Sequence, residues 1–167
     1  MIILGVDPGT RITGFGIIRE SGSKLEALDF GCIRPPAGLE TADRYLILFE
    51  GILELIDRYQ PQALAVETQY VHKNVQSALK LGMARGAITV AARSKGVAVF
   101  EYAPTQAKLA VTGSGRASKV QVQGMVKHVL HLEQLPQPED AADALAIAVC
   151  HAHHSKQAAS LATLVRR

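Results

Sequence analysis

Ile2-Ile3-Leu4-Gly5-Val6-Asp7-Pro8-Gly9-Thr10 decides how the rest of the chain must fold. The run from Ile2 to Val6 is apolar without a break and reads as a short buried strand. An acid, a proline and a glycine follow at once, so the strand stops in a turn and carries a carboxylate at its carboxyl end. A buried strand needs partners. Gly14 to Arg19 and Leu25 to Arg34 are strand-like, with the turn residues Ser21-Gly22-Ser23 between them. Three strands on connections this short predict an antiparallel meander, and Pro35-Pro36-Ala37-Gly38 ends it.

Downstream the period changes. Tyr45, Leu46, Phe49, Ile52, Leu53, Ile56 and Tyr59 recur at three- and four-residue steps, which predicts an amphipathic helix over 42–60, ended by Pro61. Ala63 to Val66 is a second short buried strand with Glu67 at its carboxyl end. A helix over 75–94 follows, with Asn74 as its N-cap. Val97 to Tyr102 gives a fifth strand. Pro104 opens a short helix to about Ala110, Gly113-Ser114-Gly115 is a hinge, and Ser118 caps a helix from Lys119 to about His131. Pro136 and Pro138 bracket a loop, and Glu139 begins a last helix to about His151. The order β-β-β-α-β-α-β-α-α-α contains strand–helix–strand units, which require right-handed parallel crossovers. The fold class is therefore α/β, a mixed five-stranded sheet flanked by helices on both faces. Residues 1–154 form one domain. Residues 155–167 lack a sustained apolar face and are expected to be a poorly ordered tail.

The 167 residues are 48% hydrophobic and 20% charged, which excludes general disorder. No apolar run reaches the roughly 18 residues of a membrane span, and the amino terminus lacks the basic region of a secretory signal. Cys32 and Cys150 each sit in an apolar run and read as small buried hydrophobes, with a reducing, cytoplasmic setting as the default. The net charge of +3 hides an asymmetry. Residues 1–67 carry six Lys/Arg and ten Asp/Glu, whereas residues 68–132 carry nine Lys/Arg and one acid, Glu101. A half this basic suits a polyanionic partner such as nucleic acid, although solvated helix faces give the same count.

Four acids stand in apolar surroundings. Asp7 and Glu67 terminate buried strands, and Asp140 and Asp143 open the helix Asp140-Ala141-Ala142-Asp143-Ala144-Leu145. Carboxylates are expensive to bury unless paired or metal-bound. If the two strands are parallel neighbours, Asp7 and Glu67 share one sheet edge at a spacing of about 4.8 Å, the edge where open α/β sheets hold ligands. Asp140 and Asp143 project from one helix face, where they could equally serve as caps. Converging carboxylates repel one another, and a hard divalent cation removes the conflict. Oxygen-only donors select Mg²⁺ or Mn²⁺ over zinc, and two such ions can activate water against a phosphodiester.

The stretches Ile3–Gly16, Ala65-Val66-Glu67, Ser77–Gly86, Val99–Ala103 and Asp140–Ala146, in this order over residues 2–154, resemble the RuvC family of bacterial Holliday junction resolvases. The resemblance implies a ribonuclease-H-like fold, a homodimer, and partnership with the RuvA and RuvB branch-migration proteins. It implies Mg²⁺-dependent symmetric nicking of two strands of four-way junction DNA, leaving 5′-phosphate and 3′-hydroxyl ends. By position it makes Asp7, Glu67, Asp140 and Asp143 the metal-binding catalytic acids, with two ions expected per site.

The same resemblance places base-stacking on the loop after Glu67. That loop carries Tyr70, where phenylalanine is the family's residue, with Lys73 nearby. It places DNA contacts at Lys108 and Lys119, which with Arg116 flank the Gly113–Gly115 hinge; each could also be a solvated surface cation. Ala78, Gly82 and Gly86 form a small-residue stripe that suits either the helix's own sheet or a two-fold partner, and the resemblance favours the partner. His151, His153 and His154 read as favourable charges at a helix C-terminus. The Gly5–Thr10 turn is also similar to the phosphate-binding turn of actin-like ATPases, but only one such turn is present and the chain is short for a second lobe.

Overall fold

The computed structural model describes residues 1–68 and 74–165, with the side chains of the final helix described to Ala158. β1 (Ile2–Asp7), β2 (Thr13–Ser21) and β3 (Lys24–Ile33) form the expected antiparallel meander. Ser21 pairs with Lys24, so the β2–β3 turn is Gly22-Ser23, and Gly22 takes the left-handed conformation (φ 60°) that its missing Cβ permits. α1 (Thr41–Tyr59), β4 (Ala63–Glu67), α2 (Val75–Ser94), β5 (Ala98–Tyr102), α3 (Pro104–Thr112), α4 (Lys119–Val129) and α5 (Glu139–Val165) follow. The sheet order is β3-β2-β1-β4-β5, with β4 parallel to both β1 and β5. This is the mixed five-stranded α/β sheet that the sequence order demands.

Alternation along the strands divides the interior into two cores. Leu4, Val6, Ile17, Leu64 and Val66 pack with Ile52 and Ile56 of α1 and Ile88 of α2 on one face. Ile3, Ile18, Ala65 and Tyr102 pack with Ala107 of α3, Val122 of α4 and Leu145 to Cys150 of α5 on the other. Asp7 and Glu67 have the parity of Ile3 and Ala65, so their side chains belong to the α5 face.

Both expected caps form. The Ser77 amide donates to Asn74 Oδ1 at 3.2 Å. Ser118 and Gln121 make a reciprocal capping box, the Ser118 amide donating to Gln121 Oε1 at 2.8 Å and the Gln121 amide to Ser118 Oγ at 3.3 Å.

Three glycines set how α5 lies on the sheet. A Cβ built on Gly14 would collide with the backbone carbonyl of Asp140, and one on Gly5 with that of Ala144. A Cβ on Gly16 would stand 2.7 Å from Leu145 Cδ2. The backbone of α5 therefore rests on a glycine track across β1 and β2, closer than any side chain would permit.

Two expectations are corrected. α5 does not end near His151 but runs to Val165; no glycine or proline interrupts 139–165, and Lys156 Nζ reaches Glu20 Oε1 of β2 at 3.3 Å. His151 accordingly lies inside the helix rather than at its C-terminus. It is buried, its Nδ1 hydrogen-bonded to Tyr102 Oη at 2.8 Å and its ring against Phe100 at 4.4 Å. Desolvation lowers its pKa, so the neutral imidazole is favoured. Of the two cysteines Cys150 is buried and Cys32 half-buried, and both are free thiols. Among the described residues no helix is long and apolar enough to cross a membrane.

Candidate active site

Val6 pairs with Val66 in the parallel β1–β4 register, so Asp7 and Glu67 are the next residues along two adjacent strands. The α5 helix, held down on Gly14, brings its first turns beside them. The result is a cleft of about 290 Å³ walled by Asp7, Glu67 and Asp143, by Lys108 of α3 and Lys119 of α4, and by the apolar Ala107, Val122 and Ala146. Asp140, a turn earlier on α5, stands at the Gly14 side and acts on Asp7 by charge.

The electrostatics follow from burial and like charge. Asp7 is pushed up to about 8, first by burial, then by the negative charges of Glu67, Asp143 and Asp140, with Lys119 opposing. Glu67 is pushed up to about 7 by burial and then by Asp143, against Lys108 and Lys119. Burial likewise raises Asp143, against the pull of Lys119. Lys119 is the internal counter-charge. Its Nζ lies 3.1 Å from Glu139 Oε2 and 3.8 Å from Asp143 Oδ2, and the Glu139 hydrogen bond is the main reason its own pKa rises.

Among the described residues no three His, Cys, Asp or Glu side chains are placed to hold one metal ion jointly. The donor chemistry nevertheless fits a hard divalent cation: the acceptor groups lining the cleft are carboxylates, and burial followed by mutual repulsion raises Asp7 to about 8 and Glu67 to about 7.

The other expected site residues divide. Lys108 and Lys119 join the acids in the cleft. Arg116 does not; it lines a separate hollow with Thr112, Ser114, Gln121 and Met125, because the left-handed Gly113 ends α3 and redirects the chain. Tyr70 and Lys73 lie outside the described residues. The sequence reading passed over Glu139 as a mere helix start, although an acid in a first helical turn with a free lysine elsewhere is a weak hint of such a pair. It also passed over the glycine track, whose spacing at 14 and 16, one face of β2, is the visible trace.

The sequence profile described as "Crossover junction endodeoxyribonuclease RuvC" matches residues 3–151. A Protochlamydia amoebophila protein of that description is 61% identical over 152 residues, covering 91% of this chain and 90% of that protein. A structure of T. thermophilus RuvC in complex with Holliday junction substrate superposes with a TM-score of 0.89 at 35% identity, covering 95% of this chain and 96% of the other. The yeast mitochondrial Holliday junction resolvase Ydc2 shares the fold at a TM-score of 0.62 and 15% identity. The sheet and its helices thus have the ribonuclease-H-like architecture expected above.

Proposed function

The chain belongs to the RuvC family of crossover junction endodeoxyribonucleases, and from that premise we propose that it resolves four-way DNA junctions by nicking two strands symmetrically, leaving 5′-phosphate and 3′-hydroxyl ends, in homologous recombination and repair. The observation that carries this reading is the cleft itself, lined by half-buried acids from two strand ends and a helix start together with two lysines from separate helices. The lysines suit a phosphate; the mutually repelling carboxylates suit a cation.

Asp7, Glu67, Asp140 and Asp143 would hold Mg²⁺, or Mn²⁺ in its place, as one or two ions. Bound there, the metal supplies charge neutralisation at the phosphodiester and a more acidic water. The chain's own residues do the rest. Lys108 and Lys119 hold the phosphate against the acids, and Glu139 keeps Lys119 at the mouth of the cleft. The apolar walls Ala107, Val122 and Ala146 limit water. Near neutrality the Asp7 carboxyl is mostly protonated and that of Glu67 partly so, and cation binding would therefore release protons and strengthen as pH rises.

Symmetric cutting calls for a two-fold dimer. The exposed face of α2 supports one: Val75, Leu79, Met83 and Val90 are each more than half exposed, and Gly82 and Gly86 face open space. The reading includes RuvA and RuvB as partners and a cytoplasmic site of action, both resting on family membership. The test compares cleavage of four-way junction, duplex DNA and an RNA–DNA hybrid with Mg²⁺. The junction should be cut in preference, and Asp7→Asn and Glu67→Gln should bind it without cutting. Equal cutting of duplex, or an Asp7→Asn protein that nicks at near-normal rate, would overturn the assignment.

A further inference from the structure

A second polar hollow lies on the opposite side of the catalytic edge. The turn after Asp7 is closed by Thr13, whose Oγ1 donates to the Gly9 carbonyl at 2.9 Å and accepts from the Gly9 amide at 3.2 Å. This turn presents Thr10 and Arg11 to a pocket of about 300 Å³ that also takes Thr41, Arg44 and Tyr45 from α1 and Lys80 from α2. Arg44 Nε donates to the Leu39 carbonyl at 3.0 Å, which fixes the guanidinium plane. Tyr45 Oη donates to the Lys80 carbonyl at 3.0 Å, tying the α2 backbone to α1 where the lysine stands.

Three cations and three hydroxyls line this hollow, and no carboxylate does. Among the described residues no acid forms an ion pair with Arg11, Arg44 or Lys80. Like charges gathered without a counter-ion are complementary to an anion rich in acceptor oxygens, and a phosphate diester is one that arginine and hydroxyl groups suit. Arg11 follows Asp7 by four residues, so their Cα atoms are at most about 14 Å apart. That is the rise of roughly four nucleotides along a strand at about 3.4 Å each. Lys108 and Lys119 flank the catalytic edge from the α5 face, whereas this pocket flanks it from the α1–α2 face.

We propose that Arg11, Arg44 and Lys80, with the hydroxyls of Thr10 and Thr41, form a second backbone-phosphate site that grips the DNA strand a few nucleotides from the position cut in the cleft. The inference rests on the nuclease reading above. It gives Arg11, Arg44 and Lys80 a role separate from the acidic cleft, and it makes the substrate strand straddle the edge of the sheet.

The test is equilibrium binding of a labelled four-way junction in EDTA over a KCl series, with the full chain. Each phosphate contact contributes roughly 0.9 to the slope of log affinity against log salt on duplex arms. The Arg11→Gln/Lys80→Gln protein should lose about that much slope and bind roughly tenfold more weakly at fixed salt. Arg11→Lys, which keeps the charge, should retain the parent slope, and the single Arg11→Gln change at an exposed turn guards against a folding defect in the double variant. Parent slope and affinity in both Gln variants would overturn the proposal. A second arm titrates inorganic phosphate and follows thermal stability. Phosphate stabilising the parent but not the double variant, with an unchanged junction slope, would make the pocket a free-anion site and also overturn it. A parent chain that binds no four-way junction would instead bring down the nuclease reading on which both stand.

Discussion

Raising the pH should weaken the metal-free fold, and Asp7 should account for a defined share of the loss. The folded carboxyl titrates near 8, against an ordinary value of 3.8 for the unfolded chain. Between pH 5.5 and 7.5 the unfolded chain has released this proton while the folded chain still holds most of it. The native state binds more protons in that window, so stability falls as pH rises. Each pH unit is worth about 1.4 kcal/mol per differential proton, so two units, reduced for partial ionisation near 7.5, give roughly 2–3 kcal/mol from Asp7. For a chain of this size that is a Tm lower by about 5–10 °C at the higher pH. Glu67, pushed up to about 7, acts in the same direction. His151 acts oppositely: its folded pKa is lowered, so its contribution grows as pH rises through the unfolded histidine value. Comparison with Asp7→Asn cancels His151 to first order, whereas Glu67, coupled to Asp7 by charge, cancels only in part. The assay is calorimetric or circular-dichroism melting of parent and variant in EDTA at pH 5.5 and 7.5. The variant should lose less stability across the window and should melt above the parent at pH 7.5. Mg²⁺ at pH 7.5 should stabilise the parent by mass action and the variant far less. An Asp7→Asn protein with the parent's full pH dependence would refute the argument that a half-buried, like-charged carboxyl sits at the end of β1.

Three further outcomes follow from the packing. Gly16→Val places carbon against Leu145 and should lower the urea midpoint by the equivalent of about 1–3 kcal/mol or more; an unchanged midpoint would mean that α5 does not rest on the glycine track. Tyr102→Phe removes the hydroxyl that partners buried His151 Nδ1 and should destabilise by about 1–3 kcal/mol in the same assay, whereas equal stability would show that the imidazole has another partner. Leu79→Asp with Met83→Asp charges the exposed face of α2, and sedimentation should find the parent to be the dimer proposed above and the variant a monomer; a dimer surviving both changes would move the interface elsewhere.

Much of the architecture was legible because its causes are local. The apolar run Ile2–Val6 closed by Asp7-Pro8-Gly9 marks a buried strand and its end, the 3-4 spacing from Tyr45 to Tyr59 marks a helix face, and Asn74 and Ser118 announce the helices they cap. Each signal acts over a few residues, and the element order then leaves few sheets to build. The acids at the strand ends were legible on the same ground, since an ionisable residue that closes an apolar run is conspicuous wherever it goes. The end of α5 was misjudged because a weak apolar face was taken as a stop, although no glycine or proline breaks the helix before Val165; the contact of Lys156 with Glu20 on a distant strand has no local signature.

What tertiary structure decided is which of these groups meet. Side-chain alternation puts Asp7 and Glu67 on the α5 face, but only the glycine track lets α5 come close enough to set Asp143 in the same cleft, while Arg116 turns away and Lys119 turns in. Arg11, Arg44 and Lys80 are separated in the sequence and unremarkable there; a turn and two helices make them one pocket. Periodicity and capping are written along the chain because they depend on neighbours in it. Convergence depends on how closely two backbones can approach, and that is settled only when all the layers pack together.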